Sequence, residues 1–189
     1  MTLLFEDATP AGDEAPHNLY FALRPDAEAA RALCALESLR AAPGRPMDPD
    51  RLHISLYSLG LHRRWPRRQI VDAVQAVGSV RRTPFLVELD RIATWGRGLG
   101  PLPVVAWSEE GVVGVHGLHE VLHQALAGTA DWRRRKPGIE PHLTLWRDHG
   151  RMPETFIAPI RWRVREFVLI DSRYGQGRHE LVDRFPLTG

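Results

Sequence analysis

Two short segments of the chain repeat one pattern, in which a histidine is followed two residues later by a hydroxyl residue and then by leucine. They are His53-Ile54-Ser55-Leu56 and His142-Leu143-Thr144-Leu145, and they lie close to half the chain length apart. Within each segment polar and apolar residues alternate, which is typical of a β-strand with one face in a core. The repeat therefore predicts two related halves, each presenting the same polar strand face.

The polar faces of these strands carry groups suited to acid–base chemistry at phosphorus. Alternation places three side chains of each strand on one face: His53, Ser55 and Tyr57 in the first, and His142, Thr144 and Trp146 in the second. An imidazole has an ordinary pKa of about 6.5, so one ring can accept a proton while the other donates one. The hydroxyls can donate hydrogen bonds to phosphate oxygens held between the strands. One such strand is weak evidence of function, but two predict metal-independent displacement at a cyclic phosphodiester.

Apolar periodicity predicts strands and helices that are mixed without regular alternation. Helical spacing predicts three helices, beginning at Pro25-Asp26, Pro66 and Val112, the first with apolar positions as far as Leu39. Apolar or alternating runs predict strands at residues 17–23, 52–59, 85–95, 103–107, 141–146, 162–170 and 180–185. Several neighbouring strands follow one another directly, which indicates antiparallel pairing and an α+β fold.

Residues 1–16 differ in composition from the rest of the chain, because they include four acidic residues and no lysine or arginine. This composition predicts a flexible acidic tail rather than a secretory signal, which begins with basic residues. Residues 17–189 have the length of one domain. The single cysteine, Cys34, cannot form an internal disulfide, so a cytoplasmic location is expected. No apolar run is long enough to span a membrane.

Arginine accounts for almost all of the positive charge, since only Lys136 among the 25 basic residues is lysine. Arginine binds phosphate with a planar fork, which suits RNA, although GC-rich coding gives the same bias. Residues 63–68 and 133–136 hold basic runs near the motifs, and each is either a cleft rim that attracts RNA or a solvated loop. Three further arginines share a strand face that is either solvent or cleft: Arg161, Arg163 and Arg165.

Other stretches complete a resemblance to a known family. They are Leu19-Tyr20-Phe21-Ala22-Leu23, the Leu59-Gly60 end of the first motif strand, the Phe85 strand, Pro141-His142-Leu143-Thr144-Leu145-Trp146-Arg147, and Phe167, Ser172 and Phe185-Pro186-Leu187 near the end. From about Asn18 to Leu187 the chain resembles the two-histidine phosphoesterases, specifically the RNA 2′,3′-cyclic phosphodiesterase branch, also called 2′-5′ RNA ligases. The resemblance implies a bilobal α+β fold in which two antiparallel sheets form a U-shaped cleft, with helices outside.

The resemblance also implies an activity and roles for particular residues. It implies hydrolysis of RNA 2′,3′-cyclic phosphate ends to 2′-phosphomonoesters without metal or cofactor, with 2′-5′ ligation as a reverse reaction. The protein is expected to be a monomer. His142 is expected to activate water and His53 to protonate the leaving 3′ oxygen, while Ser55, Thr144 and Arg147 are expected to bind the phosphate.

Two positions do not fit the implied site directly. Strict alternation turns Arg147 away from His142 unless the strand twists or ends at Trp146. Ser58 stands where the family commonly has an aromatic residue. Tyr57 or Trp146 is therefore expected either to stack on a base or to pack against a neighbouring strand.

Three alternatives remain open from the sequence alone. His119-Glu120-Val121-Leu122-His123 matches the H-E-x-x-H zinc motif on a helix, which indicates either a zinc hydrolase or an amphipathic helix bordered by histidines. A small cyclic nucleotide is an alternative substrate within the same superfamily. A third alternative is a non-catalytic module that binds RNA ends.

Overall fold

The computed structural model describes residues 16–40, 47–129, 131–132, 138–173 and 178–189. The helices are α1 (Ala27–Ala35), α2 (Arg67–Val77) and α3 (Val113–Ala127). The strands are β1 (His17–Leu23), β2 (Ile54–His62), β3 (Phe85–Thr94), β4 (Leu102–Trp107), β5 (His142–Asp148), β6 (Thr155–Val164), β7 (Glu166–Arg173) and β8 (Arg178–Pro186). Two short 3-10 helices, Leu36–Leu39 and Pro49–Arg51, precede β2. The predicted tail, apart from its last residue, lies outside the described residues, as does the whole basic run at 133–136.

The strands form one eight-stranded antiparallel sheet, in the order β6-β3-β4-β5-β2-β1-β7-β8. The α+β class is confirmed, but two separate sheets were expected and one sheet is found. Its two halves meet between β5 and β2, where the register contains a single residue pair, Ile54 with Leu143. A sequence pattern identifies a strand but not the neighbouring strands with which it pairs. The single residue pair that joins the two four-stranded halves was therefore not predictable.

The sheet curls strongly, because two strands that are far apart in the strand order are joined by one residue. β6 ends at Val164 and β7 begins at Glu166, although β6 lies at one end of the strand order and β7 near the other. Consecutive Cα atoms are about 3.8 Å apart, so these two strand ends are neighbours in space. The sequence predicted one continuous strand at residues 162–170, whereas the structure divides it at Arg165 and uses this residue to pass between the halves.

The main apolar core packs the helices against one face of the sheet. Leu19, Phe21 and Leu23 of β1 belong to this core, together with Leu118 and Leu122 of α3, and all five are at most 1% exposed. Burial of each such side chain stabilises the fold by roughly 1.5–3 kcal/mol. The intervening residues of β1 point to the opposite face, where Tyr20, Ala22, Val168 and Ile170 form a second, smaller apolar cluster.

Helix α1 begins as the sequence predicted but ends earlier. The Asp26 carboxylate accepts a hydrogen bond from the backbone N–H of Ala29 at 2.9 Å, which caps the first turn. The helix then tightens into the 3-10 helix Leu36–Leu39, so Leu39 is 45% exposed instead of lying on the predicted buried face. Within the described part of the chain, none of the helices has the length and apolar character needed to cross a membrane.

Candidate active site

The single pair that joins the two halves brings both motifs together. Ile54 and Leu143 are fully buried and face the core. Each lies one residue after a motif histidine, so the flanking side chains point to the other face of the sheet. In this antiparallel register the position of His53 is opposite Thr144, and that of His142 is opposite Ser55. The four motif residues thus occupy one small area of a single face, where the two halves meet.

The two histidines are held in the same way. The Nδ1 atom of His53 lies 2.7 Å from the carbonyl oxygen of Arg51, and Nδ1 of His142 lies 2.7 Å from that of Glu140. A carbonyl oxygen only accepts, so Nδ1 carries the proton in both rings. In the neutral form each Nε2 is therefore an acceptor available to a ligand, and on protonation it becomes a donor. Either ring is equipped to act as general base or general acid.

A β-bulge in each motif strand changes the face of the residues that follow. Ala22 pairs with Ser55 but Phe21 pairs with Tyr57, which leaves one extra residue in β2. In the same way the pairing of β4 with β5 passes over Leu145 between Thr144 and Trp146. Both bulges turn the aromatic residue toward the core and return the next residue, Ser58 or Arg147, to the site face. This resolves the expected conflict for Arg147, which is exposed and lines the same cavity as His53 and Thr144.

Of the two roles expected of Tyr57, packing is the one that the structure shows. Its side chain is 5% exposed and packs against His119 and His123 of α3, with ring centroids 6.0 and 6.1 Å away. Trp146 is 6% exposed and belongs to the main core, while part of its ring forms a wall of the cavity beside His53. The Arg40 guanidinium lies over this ring, 5.5 Å from its centroid. The prediction for both aromatic residues relied on the alternation of side chains between the two faces of a strand, and the bulges interrupt that alternation.

Two cavities of different character border His53. The first, of about 460 Å³, includes three arginines and one aspartate in its lining: Arg40, Arg51, Arg147 and Asp48. The second, of about 320 Å³, has uncharged polar groups around the ring: Asn18, Tyr20, Ser55, Ser58, Ser172 and His179. His142 lines neither cavity and instead packs against Trp95, with ring centroids 4.9 Å apart. The space on the His53 side is therefore large enough for a nucleoside and is basic on one flank only.

The structure adds a third histidine that the sequence analysis missed. His179, near the start of β8, makes an edge-to-face contact with His53 at a centroid distance of 5.2 Å and lines both cavities. Its buried Nδ1 has no hydrogen-bond partner among the described residues. Tyr20 stacks on His53 at 5.0 Å, with 28° between the rings, and its ring centroid also lies 6.3 Å from that of His179. No sequence motif marks His179, because this residue reaches the site only through the pairing of β8 with β7.

Burial affects the protonation of this group of rings. It lowers the pKa of His53 below 6.5, an effect that the hydrogen bond to the Arg51 carbonyl opposes and the charge of His142 reinforces. Burial also lowers the pKa of His179 to about 4, and the charge of His53 adds to this effect. For Tyr20, burial raises the pKa to about 12. At neutral pH the unliganded protein therefore holds both His53 and His179 in their neutral forms.

We expect the imidazole of His53 to titrate with a midpoint below pH 6.5, because burial penalises its charged form. The measurement is an NMR titration of the histidine Cε1–H resonances. The His53→Asn variant assigns the signal by its disappearance. A midpoint at or above 6.5 in the unliganded protein would contradict this account of the site.

His179 is expected to make the stability of the fold depend on pH. Its pKa is lower in the folded state than the ordinary value of 6.5, so its contribution is complete above pH 6.5 and is lost as the pH falls toward 4. The side chain is only partly buried, so we expect a loss of about 1 kcal/mol. Urea unfolding of the native protein at pH 6.5 and 4.5 should show this additional loss relative to His179→Gln. Parallel pH dependences of the two proteins would disprove it.

The H-E-x-x-H segment does not form a metal site. Nδ1 of His119 lies 2.8 Å from the Leu56 carbonyl oxygen, and its Nε2 accepts a hydrogen bond from the Gly138 N–H at 3.1 Å. Both ring nitrogens are therefore occupied by backbone groups, which leaves no lone pair for zinc. No group of three His, Cys, Asp or Glu side chains among the described residues is arranged to hold a metal ion. His119 instead ties α3 to the motif strand β2.

The chain is similar to a known family and to several solved structures. Residues 22–176 match the 2′-5′ RNA ligase superfamily. A crystal structure of a phosphoesterase is 25% identical, with a TM-score of 0.71 over 92% of this chain and 100% of that chain. E. coli LigT complexed with 3′-AMP is 26% identical, with a TM-score of 0.71 over 93% and 99% of the two chains. TT0787 of Thermus thermophilus, at 24% identity, shares the fold, with a TM-score of 0.73 over 91% and 98%. No curated protein sequence matches.

The fold and the paired His-x-Ser/Thr strands are those of a two-histidine phosphoesterase. The chain belongs to the 2′-5′ RNA ligase superfamily.

Proposed function

We propose that this protein hydrolyses 2′,3′-cyclic phosphate ends of RNA to 2′-phosphomonoesters. The observation that carries the proposal is the equivalent placement of two histidines on one sheet face, each with Nδ1 fixed by a carbonyl and Nε2 available. In-line displacement at phosphorus needs a base where the nucleophile enters and an acid where the leaving group departs. The curl of the sheet would make this area the base of a U-shaped cleft between the halves.

In the proposed step His142 removes a proton from water through Nε2, and the water oxygen forms a bond to phosphorus. The P–O3′ bond breaks, and protonated His53 gives its Nε2 proton to the 3′ oxygen. The products are a 2′-phosphomonoester and a 3′-hydroxyl, and the proton taken at one ring replaces the one lost at the other after solvent exchange. Ligation is the same step with a 5′-hydroxyl in place of water: the 5′ oxygen forms a bond to phosphorus, the P–O3′ bond breaks, and a 2′-5′ phosphodiester with a free 3′-hydroxyl results.

The cavities support this order of roles. Both of them border His53, so the bulky nucleoside, whose ribose carries the leaving O3′ and stays attached to phosphorus through O2′, is best placed on that side. His142 lines neither cavity, so a nucleoside held beside His53 leaves space for water next to His142. Burial lowers the pKa of His53 in the unliganded protein, and the negative charge of a bound phosphate opposes that shift, which favours the protonated acid in the complex.

Three groups would hold the phosphate between the rings. Ser55 and Thr144 each follow a histidine by two residues on the same face, so their hydroxyls donate toward the non-bridging oxygens. Arg147 is returned to that face by the bulge in β5 and adds a charged fork. All three act by stabilising charge that develops on the phosphoryl oxygens.

The substrate is proposed to be an RNA end, with a small cyclic nucleotide as the second candidate. E. coli LigT has been solved with 3′-AMP, ATP and NADP+, which supports binding of a nucleotide in this cleft. The three arginines along one cavity favour a ligand with further phosphates. We further propose that the enzyme is monomeric and cytoplasmic.

The proposal is tested with an oligoribonucleotide that ends in a 2′,3′-cyclic phosphate, incubated with the protein in EDTA. The expected product is the 2′-phosphomonoester, identified by its retention against both isomers. Exclusive formation of the 3′-phosphate would reverse the assignment of the leaving oxygen. Binding without turnover would identify a non-catalytic RNA-binding module, and activity lost to EDTA would indicate metal chemistry.

A further inference from the structure

A groove lined by arginines lies where the chain passes from β6 to β7, separate from the cavities that border His53. Its volume is about 820 Å³. Five arginines line it, and we call it the arginine groove: Arg24, Arg31, Arg163, Arg165 and Arg184. Val164 and Val168 provide part of its apolar wall. Two of the arginines belong to the strand face that the sequence left as either solvent or cleft, and the structure places both beside the groove.

The acidic residues of the groove are already engaged. Asp50 pairs with Arg24 at 3.2 Å, and Glu166 pairs with Arg184. Asp26 accepts the capping hydrogen bond of α1.

Three arginines of the groove have no ion-pair partner among the described residues. The guanidinium of Arg31 bonds only to the Ala27 carbonyl, and that of Arg163 only to the Pro84 carbonyl. Arg165 makes no side-chain hydrogen bond within the described part of the chain. Three exposed guanidinium groups therefore remain available in one concave surface, which is an arrangement that attracts phosphates.

The groove lies on the same face of the sheet as the site. A row of directly paired residues runs from Ser55 through Ala22 and Val168 to Arg184. Neighbouring strands are about 4.8 Å apart, so three steps place Arg184 roughly 15 Å from Ser55. The 3-10 helix Pro49–Arg51 lies between the two regions, because Pro49 and Asp50 line the groove while Arg51 lines the cavity beside His53.

We propose that the arginine groove binds the 5′ portion of the RNA strand whose cyclic phosphate end occupies the active site. This inference rests on the proposed function and specifies its substrate as a strand of several nucleotides rather than a mononucleotide. Phosphates of one stacked strand recur every 3.4 Å or so, so about four nucleotides cover the distance between site and groove. A flat lipid surface does not reach arginines in a concave wall at the junction of two strands, which favours a flexible polyanion.

The test compares a dinucleotide with a dodecanucleotide, both ending in a 2′,3′-cyclic phosphate, on the full chain. The Arg163→Gln, Arg165→Gln double variant is expected to lower kcat/KM for the dodecanucleotide about tenfold at low salt. Its kcat/KM for the dinucleotide should stay within twofold, because that substrate ends before the groove. The dependence of log kcat/KM on log salt should become shallower by about 1.4 for the longer substrate, since two phosphate contacts are lost.

Arg161→Gln is the matched control. Arg161 is exposed on the same face of β6 but pairs with Glu88 and does not line the groove, so this variant should treat both substrates as the native protein does. Equal losses on the two substrates, or no loss on either, would overturn the proposal for the groove. Absence of turnover of both substrates by the native protein would instead overturn the proposed function. Reduced binding to phosphatidylserine vesicles, with RNA kinetics unchanged, would identify a lipid-facing surface and also overturn it.

Discussion

Replacement of His53 or His142 by alanine is expected to lower kcat for a 2′,3′-cyclic phosphate end by about 10³-fold. General acid and general base catalysis each contribute roughly 10²–10⁴-fold, and alanine removes the Nε2 atom that would carry the proton. The two rings act in one step, so the double variant should lose little more than either single variant. Single-turnover rates with enzyme in excess measure the chemical step directly.

His116→Ala is the control for this experiment, because His116 is exposed on α3 and lines neither cavity beside His53. It should retain native turnover. Thermal unfolding should show that the His53 and His142 variants are folded, since neither ring belongs to the main core. Turnover within threefold of native in either variant would remove that histidine from the mechanism.

Replacement of Arg147 by methionine is expected to lower kcat/KM by about 10²-fold. Loss of one donor to a developing oxyanion typically costs 10²–10³-fold, and the exposure of Arg147 favours the lower end of that range. Lysine keeps the charge but not the planar fork, so Arg147→Lys should recover only part of the loss. Steady-state kinetics on the dinucleotide substrate measure this effect apart from any contact with the arginine groove.

Arg81→Met is a suitable comparison, because Arg81 bonds only to nearby carbonyls at the end of α2 and lines neither cavity beside His53. It should leave kcat/KM unchanged. A similar fall in both variants would point to general loss of positive charge. Native kinetics in Arg147→Met would show that the bulge in β5 does not deliver this side chain to the phosphate.

Strand periodicity located both motifs and predicted which side chains of each share a face, as far as the hydroxyl residue. His53 and Ser55 are on the site face, and Ile54 is in the core. Beyond that point a bulge adds one residue to each strand, and period-two reasoning placed Tyr57 and Trp146 on the wrong face. A bulge is a property of the pairing between two strands, so one strand's sequence does not reveal it.

Contacts between distant parts of the chain were the second feature that the sequence did not reveal. His179 reaches the site only because β8 pairs with β7 and β7 with β1, and no local pattern marks that residue. The same limit applied to the single pair between β2 and β5, which merges two expected sheets into one. The H-E-x-x-H pattern at His119, by contrast, is visible in the sequence. In the folded protein both ring nitrogens of His119 bond to backbone groups, so the pattern does not indicate a metal site.

The strand order also determines when the two halves can be completed during synthesis. The half that carries His142 consists of four consecutive strands, β3 to β6, and its last strand ends at Val164. The half that carries His53 combines the first two strands with the last two, and β1 pairs with β7 across residues as distant as His17 and Arg173. The N-terminal part of a chain leaves the ribosome first, and strand pairs between residues that are far apart in sequence form late. The more N-terminal of the two motifs is consequently the last to be finished, and a nascent chain that lacks β7 and β8 holds His53 in an incomplete sheet.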